Sequence, residues 1–382
     1  MNKKKFGALL VGISLMIAGC GGGGASDTIK IGANLEMTGG SASFGASATN
    51  AAKLAINEYN AKGGFKGKKV ELVIADNKSE AAESASAMQK LVQDKVVAVI
   101  APIASSSVIA GAQINQDSKV LAISPTASNP KVTVDEKGKV RPYLFRASFI
   151  DPFQGSVMAA FATKSLKAKT AAIYIDNSSD YAKGLAKYFE EEFVKAGGQI
   201  VIKEAYLQKD TDFKATLTKI KATNPEVIFV PGYYQEVGLI IKQSRDLGMK
   251  MPVLGGDGWD SVQLTNIAGA ENLENTFFCN HYSAEDKSPK VTSFVEAYQK
   301  AYGQVPDSFA ALAYDATWMI IKAMERADST DPVKIRDEME KTKDHDGVSG
   351  KTTLNATHDA VKGAVIIAYQ GGKQVFKERV AP

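Results

Sequence analysis

Three polar stretches of this chain have the residue types needed to hold a small charged solute. Ser105–Ser107 follows an apolar run and opens a helical stretch, and Ser124–Ser128 ends the next apolar run. Hydroxyl groups and free N–H groups at a helix N-terminus can bind a carboxylate. In a later stretch, Gly255–Trp259, Asp257 could pair with an ammonium group. Serine-rich helix starts are also common as simple caps, so these residues alone leave both interpretations open.

Aromatic side chains occupy comparable places in the second half of the chain. Tyr181 comes shortly after the β-rich run Thr170–Ile175, and Tyr233 comes shortly after Val227–Val230. Aromatic faces next to a few converging polar groups are typical of small-molecule sites. Together with Asp257, they suit a small zwitterion, with the aromatic faces enclosing its side chain.

The residues required for catalysis or metal binding do not occur in recognisable patterns. The three histidines, His281, His345 and His358, are scattered, and no Cys/His cluster has the spacing of a metal site. The chain has no nucleophile elbow, phosphate-binding loop or dinucleotide-binding glycine motif. Gly255–Asp260 has too few oxygen ligands at alternate positions for calcium. We therefore predict a protein that is not an enzyme and that needs no metal or cofactor.

The elements that position these residues alternate from Thr28 onward between short β-rich runs and amphipathic helical stretches. Ile29–Leu35 is a predicted strand, and Ser47–Tyr59 is a predicted helix with apolar residues at helical spacing. The alternation restarts with a helix over Phe153–Lys167. This pattern predicts an α/β protein with mostly parallel sheets flanked by helices. Ligands of such sheets bind beyond the carboxyl ends of the strands, so the expected site is the cleft between two lobes.

The last third of the chain contains helices and a β-rich end that complete the two lobes. Three crossings between lobes would form a hinge that bends without letting the lobes move independently. These crossings are expected near Ala147, Tyr282 and Gly350. The predicted N-terminal lobe comprises residues 28–147 plus 283–349, and the predicted C-terminal lobe comprises residues 148–282 plus 350–382.

The N-terminus has the features of an export signal. Basic Lys3–Lys5 precede the apolar stretch Phe6–Ile17, and a lipobox ends at Cys20. Residues 1–19 are therefore predicted to be a lipoprotein signal peptide, and residues 20–27 a lipidated cysteine with a flexible glycine-rich linker. The alternative is an ordinary signal peptide in which the cysteine is incidental.

Charge and cysteine content narrow the possible partners. The 46 Lys and Arg residues nearly balance the 42 Asp and Glu residues, and three of the basic residues, Lys3–Lys5, belong to the signal. A balanced body argues against nucleic acid as a partner. Beyond residue 20, no apolar stretch reaches the roughly 18 residues of a membrane span. With Cys20 lipidated, Cys279 has no disulfide partner and is expected to be a buried, inert thiol.

Several motifs, taken in order and spacing, resemble the branched-chain amino acid (Leu/Ile/Val)-binding proteins of ABC transporters. The resemblance extends from Ile29 to about Tyr369 and implies the type I periplasmic-binding-protein fold, which has two lobes and a three-strand hinge. Its markers are Met37–Gly39 with Phe44–Gly45, Ile56–Gly67, Ala104–Ser107, Ile123–Ser128, Asp180–Gly184 and Phe309–Ala316.

The resemblance also implies roles for individual residues. Ser105 and the backbone around it would hold the ligand carboxylate. The carbonyl of Thr126 and the hydroxyl and N–H groups of Ser128 would hold the α-carboxylate and α-ammonium groups, and Asp257 would pair with the ammonium. Glu36, at the end of the first strand, is an additional carboxylate that could line the cleft mouth. The expected aromatic lining is Phe44, Tyr181, Tyr233, Phe309 and, from its place in the Asp257 loop, Trp259.

By this resemblance, the protein would be exported, anchored to the membrane through Cys20, and active as a monomer. It would bind an amino acid, with Leu, Ile or Val as the first expectation, and deliver it to permease subunits in the membrane. Two alternatives stay open. The solute could instead be an amide, urea or an aromatic acid, or the protein could serve as a sensory receptor adaptor. The absence of a nucleophile–base pair disfavours a hydrolase.

Overall fold

The computed structural model describes residues 28–382. The predicted signal peptide, Cys20 and the linker lie outside the described residues. None of the helices from residue 28 onward combines the length and the apolar character that crossing a bilayer requires.

The described chain folds into strands and helices with the following bounds. The strands are β1 (Ile29–Leu35), β2 (Val70–Asp76), β3 (Ala98–Ile100), β4 (Ala122–Ser124), β5 (Leu144–Arg146), β6 (Thr170–Asp176), β7 (Gln199–Tyr206), β8 (Val227–Phe229), β9 (Val253–Gly255), β10 (Thr276–Asn280), β11 (His345–Gly347), β12 (Gly350–Leu354), β13 (Ala360–Val361), β14 (Ala364–Gln370) and β15 (Lys373–Val380). The helices are α1 (Ala42–Ala61), α2 (Ala81–Gln93), α3 (Ser105–Ser118), α4 (Asp151–Ala160), α5 (Asp180–Lys195), α6 (Lys214–Ala222), α7 (Tyr234–Asp246), α8 (Val262–Ala268), α9 (Pro289–Tyr302), α10 (Ser308–Ala327) and α11 (Pro332–Glu340).

Two sheets form the centres of the two lobes. The first has five parallel strands in the order β2-β1-β3-β4-β5. The second has seven strands in the order β15-β14-β10-β9-β8-β6-β7, in which β14, next to one edge, runs antiparallel to its neighbours β10 and β15. Strands β3, β4, β8 and β9 are buried throughout, as expected for strands covered by helices on both faces. The predicted α/β fold with mostly parallel sheets is confirmed.

Helices α1 and α10 pack along each other beside the first sheet. Both are rich in buried alanine, including Ala48, Ala52, Ala313 and Ala316, which let the two helix backbones approach closely. The pairing fixes the N-terminal turns of both helices, where Phe44 and Phe309 lie. The late helices of the chain therefore build the first lobe together with the early ones.

The segment between β12 and β13 packs against the first sheet, whereas the boundary at residue 350 would place it in the second lobe. Strand β12 pairs with β11 and β13 in a small three-stranded sheet. The His358 ring stacks on Phe145, and its Nδ1 lies 2.9 Å from the Leu144 carbonyl oxygen. We therefore propose that the third crossing between lobes lies between Val361 and Ala364. The other two lie between β5 and α4 and between β10 and α9.

Candidate functional site

The polar stretches lie at the carboxyl ends of parallel strands. Ser105 begins α3 just after β3, and the loop 125–129 follows β4. From the second sheet, Tyr181 opens α5 after β6, Tyr233 precedes α7 after β8, and Asp257 follows β9. Because the strands in each sheet are parallel, their carboxyl ends share one edge, and the two edges face each other across the cleft.

Seven of the nine residues predicted from the sequence line one small cavity between the lobes. First-lobe residues and second-lobe residues both contribute to its wall. The enclosed space is only about 10 Å³, roughly the volume needed for a single water molecule. A solute of amino-acid size therefore requires the walls to move apart. The lining comprises Ile103, Ser105, Thr126, Ala127, Ser128, Tyr181, Tyr233, Asp257, Gly258 and Phe309.

Two predicted residues, Phe44 and Trp259, do not line this cavity. The Phe44 ring stacks on Phe309 at a centroid distance of 3.9 Å, so it supports the lining from behind. Trp259 is fully buried, and its Nε1 donates to the Val230 carbonyl oxygen at 3.1 Å. The 3₁₀ turn Asp257–Trp259 directs these two side chains differently, and the indole packs over Gly255, where a Cβ would lie 2.0 Å from the ring. Contrary to expectation, Trp259 therefore does not line the cavity but packs in the core of the second lobe.

The first-lobe wall presents hydrogen-bonding groups suited to a carboxylate. The N–H groups of the first turn of α3, starting at Ser105, have no acceptor within the helix. The Ser128 hydroxyl is buried and meets no hydrogen-bonding partner in good geometry among residues 28–382, although the carboxyl of Asp151 lies beside it. By contrast, the Thr126 hydroxyl donates to the Ile103 carbonyl at 3.2 Å, which leaves the backbone of Thr126 as its contribution to the cavity.

Glu36 lies next to this wall but outside the cavity. Its carboxylate accepts hydrogen bonds from the N–H groups of Ile103 and Ala104, both at 3.1 Å. Complete burial raises the pKa of Glu36 to about 7, although these hydrogen bonds oppose the shift. The expectation that Glu36 lines the cleft mouth is therefore wrong. Its carboxylate instead connects the end of β1 to the loop before α3 through these hydrogen bonds.

The second-lobe wall holds a carboxylate in a fixed orientation. Asp257 Oδ1 accepts from Gln154 Nε2 at 3.1 Å, and Gln154 Oε1 accepts from the Asp257 N–H at 2.7 Å. Asp257 Oδ2 lies 2.8 Å from Nε2 of His281. Burial lowers the pKa of His281, so the ring is neutral at pH 7 and we assign its proton to Nε2 as the donor to Asp257. The carboxylate keeps lone pairs for a further donor.

Aromatic rings form the rest of the wall. Tyr181 and Tyr233 stack with centroids 5.3 Å apart, and the Tyr181 hydroxyl accepts from the Gly258 N–H at 3.2 Å. Burial raises the pKa of both phenols well above their ordinary value, so both stay neutral. With Phe309 and the Phe44 ring behind it, they offer an apolar surface of the kind that encloses an aliphatic side chain.

Gln154 and His281 are site residues that sequence reasoning missed. Gln154 lies within the predicted helix Phe153–Lys167, where its position carries no sign of a polar role. His281 is one of three scattered histidines, and its place in the sequence indicates no binding role. It lies at a crossing between lobes, and it is buried there against Asp257 and stacks on Phe149 at 3.8 Å. Only the tertiary fold brings these two residues together with Asp257.

A second, larger cavity of about 1010 Å³ also lies between the lobes. It is lined by residues around Ser43, Asp260, Ser261 and Asp307 and by none of the nine predicted residues. Its polar groups largely satisfy each other. For example, Asp260 accepts from Asn280, Ser308 and Gln374 at 2.9, 2.7 and 2.7 Å. We therefore place the candidate site in the smaller cavity, where the Ser128 hydroxyl and the start of α3 are available to a solute.

Direct contacts between lobes flank the small cavity. Lys209 Nζ lies 2.6 Å from Glu80 Oε1. The Ser106 hydroxyl donates to Asp180 Oδ2 at 3.0 Å, and Asn129 Nδ2 donates to the Asp180 carbonyl at 2.7 Å. These contacts join the two edges of the cleft, which we call its lips: Glu80, Ser106 and Asn129 on the first lobe, and Asp180 and Lys209 on the second. Within residues 28–382, no group of three or more His, Cys, Asp or Glu side chains is arranged to hold a metal ion.

Comparison with known proteins agrees with this architecture. The family described as Periplasmic binding protein matches residues 28–373. Leu/Ile/Val-binding protein homolog 3 of Brucella melitensis is 33% identical over 303 residues, covering 79% of this chain and 80% of that protein. The match therefore covers about four fifths of each protein.

Two crystal structures with bound ligands are also similar. The branched-chain amino acid transporter substrate binding protein LivJ from Streptococcus pneumoniae, in complex with isoleucine, has a TM-score of 0.87 and 40% identity over 93% of this chain and 100% of that chain. A solute binding protein of an ABC transporter from Rhodopseudomonas palustris, in complex with 3,4-dihydroxybenzoic acid, has a TM-score of 0.82 and 25% identity over 93% and 97%. This chain is a solute-binding protein and belongs to the branched-chain amino acid (Leu/Ile/Val)-binding family of periplasmic binding proteins.

Proposed function

We propose that this protein binds a free amino acid, with Leu, Ile or Val as the first candidates, and delivers it to the permease of an ABC transporter. The observation that carries the proposal is the convergence of opposite polar groups in one cavity. The α3 N-terminus and the Ser128 hydroxyl lie on one wall, and the Asp257 carboxylate lies on the other. These groups match the carboxylate and ammonium groups of a zwitterion.

In the proposed complex, the solute carboxylate accepts hydrogen bonds from the Ser105 hydroxyl, the Ser128 N–H group and the N–H groups at the start of α3. The solute ammonium donates to Asp257, to the Thr126 carbonyl and to the Ser128 hydroxyl oxygen. Both charges are thereby paired, which burial in a cavity of low polarity requires. The solute side chain packs against Tyr181, Tyr233 and Phe309, and Phe44 supports this surface from behind.

Closure of the lobes couples this binding to transport. Each lobe supplies part of the site, so a bound solute favours the arrangement in which the lobes are together. With walls as close as in this structure, the cavity has too little room for an amino acid to enter. We therefore propose that the lobes separate to admit the solute and that the closed, loaded form docks on the permease.

The similarity to a 3,4-dihydroxybenzoate-bound protein supports a second candidate, an aromatic acid as the solute. An aromatic acid lacks the ammonium group that would neutralise Asp257, so it would place an anion opposite a buried carboxylate. The polar groups of the cavity therefore favour an amino acid. Urea and short amides lack the carboxylate that the α3 N-terminus suits.

A thermal-shift screen of the purified protein, unfolded and refolded to strip any carried solute, tests the proposal. The panel comprises the twenty amino acids, urea, short amides and aromatic acids. A solute at about 100 times its Kd adds about 2.7 kcal/mol of stability, which is easily measured. We expect Leu, Ile or Val to give the largest shift. A response confined to aromatic acids or amides would overturn the proposed solute, and no response would favour a sensory or partner-binding role.

We further propose that the protein is exported and anchored by lipid at Cys20, because Lys3–Lys5, the apolar stretch and the lipobox occur in the required order. In the native bacterium, Cys20→Ser is expected to move the protein from the membrane fraction to the soluble exported fraction. A Cys279→Ser variant is the matched control and should stay with the membrane. A Cys20→Ser protein that stays in the membrane fraction would contradict the anchor.

A further inference from the structure

Asp151 is a buried carboxyl group that the proposed contacts with the solute leave unused. It is the first residue of α4, just after the first crossing between lobes, and its N–H donates to the Ser128 carbonyl at 2.9 Å. Its side chain has no exposed surface. Neither carboxyl oxygen meets a hydrogen-bonding partner in good geometry among residues 28–382. An unsatisfied buried carboxyl is costly, so its retention next to a binding cavity calls for a functional explanation.

The immediate neighbours of Asp151 connect it to the cavity wall. Its carboxyl lies beside the Ser128 hydroxyl, which lines the cavity and likewise lacks a hydrogen bond of good geometry with any described residue. On its other side it meets helix α5 at Gly184, where a Cβ would lie 2.6 Å from Asp151 Oδ2 and 2.7 Å from Asn129 Nδ2. Any larger residue at 184 would displace the carboxyl, so the fold reserves this space for it.

The charged groups around Asp151 come from several elements. Asp257, after β9, acts on it as a like charge, and Arg146, at the end of β5, acts as an opposite charge. Arg146 is already engaged by Asp359 at 2.6 Å and by the carbonyl oxygens of Ala127 and Asn129. The carboxyl of Asp151 is therefore left without a dedicated cation of its own.

Other titratable groups lie farther along the same network. Tyr181, on α5, faces Asp151, and burial keeps its phenol neutral. Beyond Asp257 lie His281, neutral at pH 7, and then Lys362, whose pKa burial lowers to about 8. Lys362 and Glu36, whose pKa burial raises to about 7, are thus the other groups in this region whose charge could change near neutral pH.

We propose that Asp151 is a positioning residue for the ammonium group of the solute: it holds the Ser128 hydroxyl and gives up a proton to solvent when that ammonium binds. This inference rests on the proposed function. In the protonated state, Asp151 donates to Ser128 Oγ. In the ionised state, it accepts the Ser128 hydroxyl hydrogen and adds a second negative charge, next to Asp257, near the ammonium.

The direction of the pH effect follows from the ionisation of Asp151. Burial, together with the charge of Asp257, raises the pKa of Asp151 to about 8, so the group is mostly protonated at pH 7. A bound ammonium favours the ionised form and lowers that pKa. Binding then releases up to one proton, so affinity increases with pH by at most tenfold per pH unit below about pH 8 and levels off above it.

Titration calorimetry with L-leucine at pH 7, in two buffers of different ionisation enthalpy, measures the proton release. We expect release approaching one proton per leucine bound. The matched ligand 4-methylpentanoate, which is leucine without its amino group, should release none. The Asp151→Asn variant should bind leucine more weakly, release no proton and show a flat pH profile between pH 6 and 8. Glu236→Gln, a change of another buried acid in the same lobe, should keep the native release.

The possible failures are distinguishable. If no Leu, Ile or Val binds in either buffer, the proposed function fails. If leucine binds native protein without buffer-dependent heat, the inference about Asp151 fails, and this measurement does not depend on any variant folding. Proton release that persists in Asp151→Asn would assign the proton to Lys362 or Glu36 and would also overturn the inference.

Discussion

At the scale of single residues, Asp257 connects the binding wall to the rest of the second lobe. Gln154 and His281 fix its carboxylate, and its remaining lone pairs face the cavity. Asp257→Ala would leave a bound ammonium unpaired, so we expect a loss on the order of 2–5 kcal/mol of binding free energy. Calorimetric titration with leucine measures this loss. Unchanged affinity would mean that the cavity is not the site.

Trp259 offers the opposite prediction, since it lies close to Asp257 in sequence but belongs to the core. Trp259→Phe removes the hydrogen bond to the Val230 carbonyl and should lower the free energy of unfolding by about 1–3 kcal/mol. Leucine affinity should stay within about twofold of the native value. Urea denaturation and leucine titration together check both statements, and a selective loss of affinity would restore Trp259 to the binding wall.

Residues of the candidate site could be predicted from the sequence where they lie directly after a predicted strand. Ser105, Thr126, Ser128 and Asp257 follow strands directly, so the strand pattern and the family resemblance located them together. Trp259 was misplaced because a single 3₁₀ turn rotates its side chain away from that of Asp257. Only the tertiary fold brings three further residues to the candidate site: Asp151, Gln154 and His281.

At the scale of elements, Glu36 joins β1 to the start of α3. Its raised pKa of about 7, against 4.5 in an unfolded chain, means that the folded protein holds this proton to higher pH. Stability therefore falls as pH rises from about 4.5 to about 7, by an amount on the order of a few kcal/mol for this group. The buried Asp151 and Asp307 act in the same direction, with pKa values of about 8 and about 7.

Glu36→Gln tests this account of the β1–α3 connection, because glutamine cannot ionise. We expect the variant to be less stable than native protein at pH 5, where it loses one accepting oxygen, and the difference to shrink by pH 8. Urea denaturation at both pH values measures it. Glu83→Gln, an exposed carboxylate on α2, should keep the native dependence on pH. An equal pH dependence in Glu36→Gln and native protein would contradict the account.

At the scale of elements, sequence patterns are sufficient to predict most strands and helices and the sheets that they form. Alternating strands and helices depend on local periodicity, which is why the two mostly parallel sheets were predicted correctly. Strand β12 lies in the predicted β-rich end of the chain, but the lobe to which it belongs depends on long-range contacts, such as those of His358 with Phe145 and Leu144. The position of the third crossing between lobes consequently required the structure.

At the scale of the whole molecule, we propose that the contacts between the lobes at the edges of the cleft influence the balance between open and closed lobes. Lys209 and Glu80 form an exposed ion pair between lobes, and such pairs contribute about 0.2–1 kcal/mol. Lys209→Met should therefore weaken leucine binding by at most about fivefold, and the effect should diminish at high salt. Lys195→Met, which breaks a pair with Glu192 within α5, should leave affinity unchanged. Equal effects of both variants on leucine titrations would argue against a role of the lips in closure.

The central claim is that one cavity recognises the carboxylate and the ammonium of the same solute. The most direct measurement is calorimetric titration of native protein with L-leucine, 4-methylpentanoate, which lacks the ammonium, and 3-methylbutylamine, which lacks the carboxylate. We predict that leucine binds and that each analogue loses roughly 2–5 kcal/mol of binding free energy, because each leaves a buried group unpaired. An analogue that binds as tightly as leucine would contradict the claim.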